Sequence, residues 1–138
     1  MRNIEDVVKD IDSFFPMNDE WEALDELVEE ASDFNDIRVV KSLLFVLERN
    51  PEHDGYGTFW SIVHALENIG NYEKELVKSV LNKPHAMSLL MLHRLLNSNV
   101  HLIAGKPIVE IFREVSDNSK FTKGHRETAK HYLSRHAM

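Results

Sequence analysis

The sequence predicts an all-α fold of seven or eight helices in stacked antiparallel hairpins. Three observations carry this: apolar residues recur at i, i+3, i+4 and i+7 almost throughout, no alternating strand pattern of convincing length occurs, and short Pro-, Gly- or Asn-marked breaks separate the periodic segments. At 138 residues the chain is long enough to own a core, and it reads as one helical domain over residues 1–138.

Ile4, Val7, Val8, Ile11 and Phe14/Phe15 define a first helix that Pro16 stops. Asn18 or Asp19 is the expected N-cap of a second helix to about Ala31, with Trp21, Leu24, Leu27, Val28 and Ala31 inward. A third, from about Asn35 to Arg49, buries Ile37, Val40, Leu43, Leu44 and Leu47 and ends before Pro51. PEHDGYG is a loop.

From about Thr58 a fourth helix uses Phe59, Ile62, Val63, Leu66 and Ile69 and closes at Gly70, a residue suited to a left-handed cap. Asn71 is the expected cap of a fifth, with Tyr72, Leu76, Val77, Val80 and Leu81 inside. Pro84 opens a sixth, whose MSLLMLHRLL run is apolar nearly all round and therefore belongs in the middle. Two more follow, around Pro107 to Val115 and from about Lys123 to Ser134. The arrangement implied is α-solenoid-like, HEAT-like in architecture only, since no 40-residue sequence period survives inspection.

Charge is divided unequally. The first 36 residues hold thirteen acids against Arg2 and Lys9, a charge of −11, whereas the other 102 hold ten acids against fourteen Lys and Arg, a charge of +4. On the second helix Glu22, Asp25, Glu26, Glu29 and Glu30 fall on one arc opposite the apolar stripe, and Asp33 and Asp36 extend the acidic block. One reading is a solvated face that keeps the chain soluble. The other is a docking surface for a cationic protein. The i, i+4 pairs Glu22/Glu26, Asp25/Glu29 and Glu26/Glu30 repel one another, and a basic partner would relieve that repulsion and be steered in by it.

On the fourth helix Trp60, His64 and Glu67 share a stripe of their own beside the Phe59/Val63/Leu66 line. They either pack between neighbouring helices or present an aromatic anchor to a partner. Zero cysteines exclude a disulfide framework, a thiolate zinc site and a cysteine nucleophile. Eight histidines raise a metal site, yet His125, His131 and His136 lie six and five apart and His85 and His93 eight apart, not the three or four that one helix face requires. Serines lack a nucleophile-elbow turn and no phosphate-cradling glycine motif occurs. No catalytic residue, metal or cofactor is expected, and the chain is not expected to be an enzyme.

The C-terminal segment, with Lys120, Lys123, Arg126, Lys130 and Arg135 against Glu127, is moderately basic. Nucleic-acid binding is not expected, because base-stacking aromatics do not accompany those charges and the net charge of −7 opposes it. Pairing between the two ends of the chain is an alternative use for them. A signal-peptide pattern and a run of about 20 apolar residues are both missing, so a cytoplasmic protein without a membrane partner is expected.

Residues 59–98, FWSIVHALENIGNYEKELVKSVLNKPHAMSLLMLHRLLNS, resemble the helical immunity proteins of bacterial polymorphic toxin and contact-dependent growth inhibition systems, in particular immunity protein family 30. The resemblance lies in the aromatic-rich helix with His64-x-x-Glu67, the next helix ending before Pro84, and the LLMLHRLLNS helix with Arg94 and Asn97. It implies a small cytoplasmic protein that binds and neutralises a cognate toxin domain, often a nuclease, without being an enzyme. Nuclease clefts are cationic, so the acidic face would mimic a polyanion there. The alternative is a HEAT-like protein-interaction adaptor unrelated to toxins. Oligomeric state is not encoded in any pattern found.

Overall fold

A computed structural model describes residues 2–53 and 55–136. Among them are eight α-helices and one two-stranded antiparallel ribbon: α1 Ile4–Asp12, α2 Glu22–Ala31, α3 Ile37–Arg49, α4 Thr58–Ile69, α5 Glu73–Asn82, α6 Ala86–Asn97, β1 Leu102–Ile103, β2 Lys106–Pro107, α7 Ile108–Asp117 and α8 Lys123–His136. The all-α expectation holds.

The packing order is regular. Helices pair as α1–α2, α3–α4, α5–α6 and α7–α8, and short connections between packed neighbours force each pair to run antiparallel. Odd-numbered helices then stack in sequence as one layer, α1 on α3 on α5 on α7, and even-numbered ones as a second, α2 on α4 on α6 on α8. The result is a two-layer helical stack with one apolar core between the layers. The Leu-rich α6 touches α3, α4, α5, α7 and α8, which is why it is apolar on nearly every side. By contrast α2 ends its layer, with α1 and α4 as its helical neighbours, so one of its faces is left to solvent.

Several local expectations are corrected. Asn18 and Asp19 do not cap α2: both have positive φ (54° and 60°) in a short 3-10 turn, and the buried Trp21 stands at the cap position instead. Asn71 likewise has φ 52°, and Tyr72 precedes the first turn of α5. At both places a short amide or carboxylate residue was needed for left-handed backbone rather than for capping. The first helix ends at Asp12, leaving Phe14 packed on the core and Phe15 exposed. Ile37, read as core, is 45% exposed because it sits in the first turn of α3, whose cap is Asp36.

The loop 51–57 does more than connect. Asp54 lies outside the described residues, but His53 and Gly55 are fixed in an aromatic junction that joins three helices. Trp21 meets the Phe14, His53 and Phe59 rings at 5.8, 4.8 and 5.1 Å, and Phe59 meets His85 at 5.2 Å. Gly55 has φ +68°, and a Cβ there would lie 2.5 Å from the Phe59 ring, so no larger residue fits.

Candidate functional site

Local sequence sets the orientation of α2. Leu24, Val28 and Ala31 are buried against α1 and α4, and Trp21 anchors the start of the helix, its Nε1 donating to Asp19 Oδ1 at 3.0 Å. The helical period then turns Glu22, Asp25, Glu26 and Glu29 outward, and all four are exposed, as is Asp33 in the following turn. None of these five forms an ion pair among the described residues.

Two of the sequence candidates are engaged internally instead. Glu30 accepts from Arg2 Nη2 and Nε at 2.7 and 3.1 Å, and Arg2 also pairs with Asp10, clamping α1 to α2. That guanidinium holds the Glu30 carboxyl below the usual carboxylate range. Asp36 caps α3 by accepting from the Arg38 N–H at 2.8 Å and pairs with the Arg38 side chain at 3.0 Å, which also lowers its pKa. Both carboxylates have structural partners that occupy them.

On α4 the residues Phe59, Ile62, Val63 and Leu66 face the core, while Trp60 is 42% exposed, His64 is exposed and Glu67 half-buried. The Trp60 and His64 rings lie 5.8 Å apart. Arg94 reaches across from α6: its Nε and Nη2 donate to the two Glu67 carboxylate oxygens, both at 3.1 Å, and its guanidinium carbon stands 5.8 Å from the Trp60 ring centroid. Glu67 is thereby neutralised, and the ion pair braces Trp60 from one side. Trp60 does not pack inside; it is a half-exposed, positioned aromatic.

The two groups found separately in the sequence meet in part, Asp25 and Glu29 of the first with His64 of the second, while Trp60 and Glu67 turn toward Arg94 on α6. Because α2 and α4 are neighbours in one layer, their polar faces border a common groove of about 350 Å³. Asp25, Glu29 and Ser32 line one bank and Ser61, His64 and Asn68 the other, over Val28 and Ala65. Ser61 Oγ donates to Asp25 Oδ1 at 3.1 Å across it. Sequence reading missed Ser61, Ser32 and Asn68; helical spacing puts Ser61 on the polar side of α4, but only the α2–α4 contact makes it part of the groove.

The described lining of this shallow cleft is acidic: two carboxylates stand on its α2 bank, and its other polar groups are hydroxyl, amide and imidazole. Among the described residues no group of three or more His, Cys, Asp or Glu side chains is placed to hold a metal ion, and no helix is long and apolar enough to cross a membrane. No protein-family model, curated protein or solved structure matches this chain.

Proposed function

We propose that this chain is a binding protein whose α2–α4 face docks on a basic protein, and that the partner is a cognate toxin domain, a nuclease by charge, which it neutralises as an immunity protein. The observation that carries the reading is the row Glu22, Asp25, Glu26, Glu29 and Asp33, exposed and without ion pairs among the described residues, on a helix whose neighbour α4 carries a half-exposed tryptophan in ring contact with His64 of the shared groove. The choice of a toxin as partner rests on the sequence resemblance read in residues 59–98.

The energetics are consistent with docking. Like charges one turn apart destabilise a free helix by a few tenths of a kcal/mol per pair, which a cationic partner converts into attraction. Trp60 supplies apolar area next to the charged rim, the composition of a binding centre. A standard interface covers about 800 Å² per partner, so the contact must extend from the acids across the groove to α4. The function proposed is binding, not catalysis, in the cytoplasm where such a toxin would act.

The test is co-expression with a basic nuclease toxin domain encoded beside this chain's gene, where the proposal expects one. The wild-type chain is expected to restore growth, and the triple reversal Glu22→Lys/Glu26→Lys/Glu29→Lys to lose protection while keeping its helical signal; full protection by the folded variant would refute this binding mode. A helical adaptor for some other basic protein is the second reading, favoured by the two-layer stack. It predicts capture of a partner through the same face and no rescue from any neighbouring toxin.

A further inference from the structure

A second cavity, of about 430 Å³, opens where the end of α5, the α7–α8 connection and Pro51 converge. Its polar lining is Asn82, Lys83, Asn118, Lys120, Thr122 and His125. Among the described residues no Asp or Glu lines it, in a chain that carries 23 acids and a net charge of −7. Neither Lys83 nor Lys120 forms an ion pair among the described residues, so the N-terminal acids do not neutralise this end of the basic segment.

The remaining wall is apolar: Leu81, Pro84, Phe121 and Pro51. Several parts are fixed rather than loose. His125 is buried and its Nε2 lies 3.2 Å from the Pro51 carbonyl, so that nitrogen donates to it. Asn118 Oδ1 accepts from the Lys120 N–H at 2.9 Å, which leaves the amide NH2 as the unpartnered half of that side chain. Thr122 Oγ1 accepts from the His125 N–H at 3.2 Å, so the positive end of α8 also borders the cavity.

We infer that this cavity is a binding site for a small organic anion, a phosphate or carboxylate carried on a compact apolar or ring-shaped body. The anion is taken by Lys83 and Lys120 with the Asn118 NH2, and the body lies against Pro84, Leu81 and Phe121. Beyond Asn118 and Phe121 the surface carries Glu110, Glu114 and Asp117 with Arg113, a net acidic stretch that disfavours an anion there. The inference is independent of the α2–α4 docking face, which shares no residue with this cavity.

The test is a titration of isotopically labelled full-length protein, followed by amide chemical shifts, with phenyl phosphate, benzoate, inorganic phosphate and phenol as separate probes. Phenyl phosphate or benzoate is expected to saturate at 0.15 M salt, shifting residues 81–84 and 118–125, and whichever binds tighter identifies the anion. Inorganic phosphate and phenol are each expected to bind at least about tenfold more weakly, since each lacks half of the contacts. Lys83→Ala and Lys120→Ala, both at exposed positions, are each expected to weaken binding about tenfold, and the double variant to weaken it further, with the amide spectrum of each otherwise unchanged. Shifts scattered over unrelated lysines, or affinity unchanged in the double variant, would overturn the proposal.

Discussion

His85 shows how one side chain ties together distant parts of this chain. It is 2% exposed, and both ring nitrogens are used: Nδ1 accepts from the Met87 N–H at 2.9 Å, capping α6, while Nε2 donates to the His53 carbonyl at 2.9 Å. Ser88 closes the capping box by accepting from the His85 N–H at 3.0 Å. This pattern requires the neutral ring, and burial, with His125 nearby, pushes the pKa below the ordinary 6.5. A group whose folded pKa is depressed stabilises fully above its unfolded pKa. Acidification from about pH 6.5 down through the lower folded value therefore destabilises, because the unfolded chain takes the proton first. Unfolding free energy measured from pH 7 to pH 5 is expected to fall less steeply in His85→Asn than in the wild type, since asparagine keeps a cap acceptor but does not titrate; parallel profiles would reject the assignment. Arg49 makes a comparable long-range tie, its Nη2 donating to the carbonyl of Ile11 at 3.1 Å at the end of α1 while the guanidinium covers the Phe45 ring at 4.7 Å.

Among the elements, the short ribbon between α6 and α7 is the one that periodicity did not signal. Each strand is two residues long, too short for alternation to register. Ile103 pairs with Lys106 around Ala104 and Gly105, whose φ values of 50° and 80° are both positive, as a two-residue hairpin turn demands. Ala104 carries the cost of a left-handed backbone without a side chain that favours it, and it is exposed. Ala104→Asn is expected to raise stability by about 0.5–1 kcal/mol, because asparagine is far better tolerated there. A urea midpoint that rises with an unchanged slope would establish this; an unaltered or lower midpoint would contradict it. The helices themselves were legible for the opposite reason. Their apolar stripes are long, and Gly70, with φ 77°, ends α4 where its conformational freedom is required.

At the scale of the molecule, the division of charge is kept by the fold rather than cancelled by it. Among the described residues, the N-terminal acids that pair with an arginine pair with Arg2 or Arg38, and Asp19 pairs with His53; none pairs with a C-terminal lysine or arginine. A field of this kind governs encounter more than residence. The association rate with a basic partner is expected to fall about tenfold or more between roughly 0.02 and 0.5 M salt, as screening shortens to a few ångströms, while the dissociation rate changes much less. Stopped-flow measurement over that range decides it, and a flat association rate would remove the acidic face from the encounter step.

The sequence by itself determined the helices, most of the core and the polarity of charge, because each depends on residues three or four positions apart or on composition alone. Tertiary structure decided which acids remain free. Glu30 is claimed by Arg2 from 28 positions away and Glu5 by Arg38 from 33, separations that no local period encodes. It also decided that Trp60 is half-exposed, that Asp25 and His64 border one groove, and that Lys83 and Lys120 share one cavity. Those facts follow from which helices become neighbours in a layer, and that is settled only when the apolar stripes of all eight are buried together.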